Sequence, residues 1–262
     1  MSIIDQKLTH LKWKIKDYIL FPKNNYCIVC GKKVHKWINK QIITDGLTKE
    51  WHLSEIERNK LNLRESSFCP YCRNSLRSRL LAKAIIESEA FNRNTNLKEW
   101  VKEKNQKKDF KVAEINSCGN LHPFLAQLKN LAFSEYPNED IMHLSYPDNS
   151  FDLVLHSEVL EHVQDPEKAL NECKRILKKN SICLFTIPLI PGRKTINRVK
   201  LDNKSNKLIN LKSPSYHGSD NREDYLVWWE FGDDCVNKFN LKTYCYNKTA
   251  FTYVLGFRKT NE

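Results

Sequence analysis

The sequence predicts an α/β fold: a covered, mostly parallel sheet preceded by a small module stapled by a metal. Three observations carry this. A strand–crossing–helix unit runs from Phe151 to Lys178. Two CxxC pairs stand at Cys27/Cys30 and Cys69/Cys72. The net charge of +12 falls almost wholly on the first 110 residues. The 262 residues suffice for one large domain and one small one. Hydrophobic content of 40% with 28% charged residues marks a packed chain, not a disordered one.

The first 21 residues carry a helical stripe of Ile3, Ile4, Leu8, Leu11, Ile15, Tyr18 and Ile19 opposite lysines. A helix packed on its own protein and a membrane-surface helix both fit. The stretch has no cleavage site, and no apolar run approaches bilayer length, so a cytoplasmic chain is expected. The cysteine pairs come next. Each CxxC turn offers two thiolates to one ion, and two turns complete a tetrahedral site, so Cys27, Cys30, Cys69 and Cys72 are expected to hold structural zinc. The 38 intervening residues leave room for an inserted element, and Ser54 with Glu57 reads as a capping box opening a helix there. Cys118, Cys173, Cys183, Cys235 and Cys245 read as buried free thiols. After the second pair, Leu76, Leu80, Ala84 and Ile85 form one helical stripe. Arg77 and Arg79 lie off it, where they could line a substrate entrance or sit in solvent, and solvent is the expected side.

Residues 1–110 hold 23 basic against 12 acidic side chains, and the remainder is almost neutral. A division into an N-terminal helix and basic module (1–108) and a second domain (109–262) follows, with the polar run 102–109 as connection. The basic excess suits nucleic acid or another anionic partner, or simple solubility. Beyond that run, Phe151 to Leu155 reads as a strand, with His156-Ser157-Glu158 at its carboxyl end, where open sheets place ligands. Asp165-Pro166 starts the following helix: Asp as N-cap, Pro in the first turn, and lysines Lys178 and Lys179 closing the end.

These residues resemble a family. The segments DIMHLSYPDNSFD (140–152) and FDLVLHSEVLEHV (151–163) are similar to the fourth-strand region of class I S-adenosylmethionine (SAM) methyltransferases. EINSCGN (114–120) stands where that family carries a glycine-rich turn, though Asn, Cys and Asn replace its usual glycines. Ser134-Glu135-Tyr136 and Tyr216-His217-Gly218 resemble a subgroup associated with polysaccharide and glycan biosynthesis. The resemblance implies a Rossmann-like seven-stranded methyltransferase sheet ending in an antiparallel pair, Leu241–Asn247 and Ala250–Lys259. A substrate-covering insert is expected at about 191–230. Glu135 would hold the ribose beside Tyr136. Asp140 and Ile141 would hold the adenine. Glu114, Asn116, Ser117, Cys118, Gly119, His156 and Ser157 would surround the methionine end. His217, Tyr216 and His156 are the candidate bases, and His162 reads as packing or capping. The expected acceptor is a small molecule or glycan-related compound, meeting Tyr216, His217 and Trp228. RNA held by the basic module is one alternative. A non-catalytic binding protein on the same scaffold is another.

Overall fold

The computed structural model describes residues 25–88, 96–202, 204–216 and 226–260. The N-terminal stripe, His217 and Gly218 lie outside the described residues. The main sheet is built from β1 (Val112–Ile115), β2 (Leu131–Ser134), β3 (Phe151–Ser157) and β4 (Leu177–Thr186). Further along the chain come the short strands β5 (Leu189–Ile190), β6 (Ile196–Asn197), β7 (Val199–Asp202), β8 (Lys207–Asn210) and β9 (Trp229–Gly232). The pair β10 (Lys242–Asn247) and β11 (Thr252–Arg258) closes it. The order across the main sheet is β10-β11-β4-β3-β1-β2. The strands β1 to β4 are mutually parallel, and β10 and β11 form the expected antiparallel edge pair. Strand order reverses between β1 and β3, which opens a crevice above their carboxyl ends.

Among the described residues this sheet has six strands, where seven were expected. Only 16 residues separate β2 from β3. They include Pro137 and Pro147 and form turns with a lone Asp140–His143 bridge. That is too short for a crossover helix and another parallel strand.

Local chemistry sets the covering helices. Asp165 caps helix Pro166–Ile176 by accepting from the Lys168 N–H at 3.0 Å. Ala169, Leu170, Cys173 and Ile176 are its buried stripe against one face of the sheet. The helix ends earlier than expected. Leu177 already pairs with Phe151, so Lys178 belongs to β4 and bonds Asp152 at 2.7 Å. On the opposite face lie helices Leu76–Ser88 and Leu97–Lys104. Leu80, Leu81, Ile85, Leu97 and the wholly buried Trp100 share one core with Val112, Leu153 and Leu184 of the sheet. Cys27, Val29 and Cys69 belong to that same core.

A third layer caps the carboxyl ends of the strands. Helices Asp45–Glu50 and Glu55–Ser66 come from the stretch between the cysteine pairs, and the second opens with the expected Ser54/Glu57 capping box. They pack against the segment carrying β5 to β9, with Trp51, Leu53 and Leu61 against Ile190 and Val227. Two arginines clamp the layers. Arg193 reaches the Glu57 carboxylate (2.9 Å) and the carbonyls of Trp51 (2.7 Å) and His52 (2.9 Å). Arg198, only 1% exposed, bonds Glu230 and the Ser213 carbonyl of its own segment and lies 3.7 Å from the Glu50 carboxylate of the first helix. No described helix is long and apolar enough to cross a membrane.

Candidate active site and metal centre

The four cysteines expected to hold a metal converge. Their sulfurs all lie within 4.8 Å of one another, with Cys27–Cys72 at 3.7 Å and Cys30–Cys69 at 3.9 Å. A tetrahedron of thiolates at about 2.3 Å from zinc has edges of about 3.8 Å, so the donor set fits that ion. Each pair sits on a tight turn. Gly31 N–H donates to the Cys27 carbonyl and Arg73 N–H to that of Cys69, both at 2.9 Å. The residues that follow each pair, Gly31 and Arg73, have φ of 72° and 59°. Arg79 stacks 3.6 Å above the Trp37 ring and donates to the Ser67 carbonyl at 2.9 Å. Burial pushes its guanidinium down to about 10, against the nearby thiols, which favour its charge.

At the crevice, β1 ends in a turn gripped from beneath. Glu114, wholly buried, accepts from the Cys118 N–H at 2.8 Å and pairs with His122 Nδ1 at 2.8 Å. Asn116 turns into the left-handed region, φ 55°, and its Oδ1 accepts from the Tyr136 N–H at 2.8 Å. This fixes the end of β1 against the end of β2. Asparagine tolerates that conformation better than most residues, which is how the turn manages with one glycine. Gly119 supplies φ +61°, and a Cβ there would meet nothing within 4 Å. The turn therefore has an open face for a ligand's polar end. Ser117 Oγ accepts from the Gly119 N–H at 3.2 Å, and Cys118 is packed in the core.

Glu135 is exposed at the end of β2, beside Tyr136 at 63% exposure. Asp140 is half-buried and holds its own loop, accepting from the Met142 N–H at 2.8 Å, while the Ile141 side chain is buried. Ser157, at the end of β3, bonds Thr186 Oγ1 at 2.7 Å and accepts from Arg77 at 2.5 Å.

Two expectations change here. His156 is no base for an acceptor: it is 0% exposed and stacked on Phe185 at 4.5 Å. Strand alternation turns it toward helix Pro166–Ile176, beside Cys173 and Cys183. Burial pushes its pKa down to about 3, so the ring is neutral. Arg77 and Arg79 are not solvent-facing, because helix Glu55–Ser66 and Trp37 cover the outer side of their helix.

Arg77 instead belongs to a charged cluster that the motifs did not reveal. Its Nε bonds both Glu65 oxygens at 3.0 and 3.1 Å. Arg64, 2% exposed, bonds Glu158 at 2.7 Å, the Ile187 carbonyl at 2.8 Å, and Glu65. Glu158 stands at φ 56°, a strained value for this residue. Desolvation would raise its carboxyl, but Arg64 and Arg77 win and hold it at about 2. The cluster joins the end of β3 to the covering helices directly above the crevice. The Trp228 backbone N–H donates to the Glu161 carbonyl at 2.7 Å, three residues beyond Glu158. His162 Nδ1 lies 3.1 Å from the Leu226 carbonyl and so pins the insert, as a packing residue would. Tyr216 is 37% exposed and bridges Leu226.

Comparison with known proteins gives the site its context. Residues 72–185 match the family model described as a methyltransferase domain. The chain is 35% identical over 71 residues to a probable S-adenosylmethionine-dependent methyltransferase of Mycolicibacterium smegmatis, covering 24% of this chain and 28% of that one. It is 62% identical over 48 residues to an uncharacterised protein of Methanocaldococcus jannaschii, covering 18% and 21% respectively. The chain thus spans less than a third of either relative. A solved SAM-dependent methyltransferase of Thermotoga maritima, titled a possible histamine N-methyltransferase, is 14% identical. It covers 63% of this chain and 92% of its own, with a TM-score of 0.34.

Proposed function

We propose, from the premise that the chain carries a SAM-dependent methyltransferase domain, that it transfers a methyl group to a small-molecule or glycan-related acceptor. SAM would lie across the crevice between β1 and β3. Its amino-acid end would meet the Asn116–Gly119 turn, and its ribose hydroxyls the exposed Glu135 carboxylate. The observation that carries this reading is the turn itself. Two left-handed residues, a buried carboxylate holding the backbone from beneath and an unobstructed outer face suit a zwitterionic ligand end.

When bound, SAM supplies the electrophilic methyl group. The chain's own residues orient and desolvate. Arg77 and Ser157 fix the end of β3, and the layer of Glu55–Ser66 and β5 to β9 excludes water above it. The acceptor would enter beneath that layer, near Glu158 and Trp228. Four thiolates fill a tetrahedral sphere, so the metal would be structural.

A second reading, RNA as acceptor, is favoured by one observation. Lys32, Lys33, His35, Lys36 and Lys40 are all exposed on the loop following the first cysteine pair. It predicts an affinity for RNA that falls steeply with salt.

The test of the main reading is calorimetry with S-adenosylhomocysteine (SAH). Wild type should bind. Glu135→Ala, which removes a charge-assisted ribose contact worth roughly 2–3 kcal/mol, should bind one to two orders of magnitude more weakly. Equal affinity of the two proteins would refute the placement.

A further inference from the structure

We propose that the cysteine-bound metal positions the cofactor turn through Asn74 and Asn120, so that metal occupancy and cofactor affinity are coupled. This rests on the cofactor reading above and deepens it. The second cysteine turn does not end in solvent. Cys69 N–H donates to the Asn74 carbonyl at 3.0 Å, which closes the turn around the metal ligands. Asn74 is 0% exposed, and its Nδ2 donates to the Asn120 carbonyl at 2.9 Å and to that of Cys72 at 3.3 Å. From the other side, Asn120 Nδ2 donates to the Arg73 carbonyl at 2.9 Å. Two segments 46 residues apart in sequence are locked by this reciprocal pair.

Asn120 adjoins Gly119, the open position of the turn, and Cys118 shares the core of Cys27 and Cys69. The turn is therefore held from beneath by Glu114 and from its flank by the metal-binding turn. A turn with one glycine keeps its shape because something else fixes it, and here that support is metal-dependent. Without the ion, four crowded sulfurs have no common centre. The Arg73 carbonyl and Asn74 then lose their fixed places. Linkage makes the effect mutual: a cofactor that binds the braced turn must in turn favour the metal-loaded state.

Asn120→Ala tests this, since Asn120 is exposed and the change removes only the donor to Arg73. The variant should keep one zinc per chain and melt no more than about 2–4 °C below wild type, yet bind SAH about fivefold more weakly, the loss of one net hydrogen bond. In equilibrium competition against a zinc chelator, saturating SAH should make wild type retain zinc more tightly, and this gain should shrink in the variant. SAH that binds wild type without changing zinc retention would overturn the coupling, as would wild-type SAH affinity in Asn120→Ala. Failure of zinc-loaded wild type to bind SAH would overturn the cofactor reading, and the coupling with it.

Discussion

Replacing Glu114 by alanine removes the side chain that shapes the Asn116–Gly119 turn. Its two oxygens serve the buried Cys118 N–H and His122 Nδ1, each at 2.8 Å. Leaving the Cys118 N–H unsatisfied in the core costs about 1–3 kcal/mol. His122 is 29% exposed, so water replaces much of its bond, and about 1 kcal/mol is a fair share there. The sum, about 2–4 kcal/mol, is a large part of a typical stability of 5–15 kcal/mol and corresponds to a melting point lower by roughly 5–15 °C. Glu114→Gln separates geometry from charge. Its amide oxygen can still accept from Cys118, so most of the stability should return. Calorimetric melting together with SAH titration reads both consequences, and affinity should follow the turn: weakest in the alanine variant, intermediate in the glutamine variant. An alanine variant that melted within a degree of wild type and bound SAH equally well would refute the assignment of Glu114 as the support of the turn.

Other outcomes follow from the same contacts. Reduced protein prepared without chelator should contain one zinc per chain by elemental analysis, and Cys27→Ser or Cys69→Ser should lose both the metal and the folded module, since both cysteines sit in the main core. Arg64→Ala strands the Glu158 carboxylate and should destabilise by about 3–5 kcal/mol in denaturant titrations; a loss under 1 kcal/mol would remove the cluster from the account. Acid should act in two windows. His156, held at about 3 when folded and near 6.5 when unfolded, binds its proton more readily in the unfolded chain, so stability falls as pH drops below about 6.5, by about 2 kcal/mol at pH 5. Glu158, held at about 2 against 4.5, adds stability that is complete above 4.5 and lost as pH falls toward 2. His156→Leu should flatten the first window and leave the second.

Much of this fold is legible wherever the signal is local. Asp165 with Pro166, and Ser54 with Glu57, announce helix starts that the backbone adopts. Two cysteine pairs announce a shared site because their spacing alone limits what they can do. The apolar run of β3 is likewise readable from its own pattern, and the Leu241–Lys259 pair from the family resemblance. What stayed hidden depends on distant segments. Arg77 looked solvent-facing because periodicity shows which stripe a helix buries first, not that a second helix covers the other side. Arg64, Glu65 and Glu158 meet only once residues 94 positions apart are folded together. The reciprocal Asn74–Asn120 bonds have no signature in either neighbourhood. His156 was within reach of sequence reasoning: it shares strand parity with Val154, and both belong to the face that helix Pro166–Ile176 covers. The missing strand was readable too, from the two prolines and the shortness of the β2–β3 connection.

The most direct test of the account is a crystal structure of the zinc-loaded protein with SAH. SAH should lie in the crevice between β1 and β3, its amino-acid end against Asn116–Gly119, its ribose on Glu135 and its sulfur facing the Glu158–Trp228 side. SAH bound elsewhere, or a crevice that stays empty at saturating SAH, would contradict it.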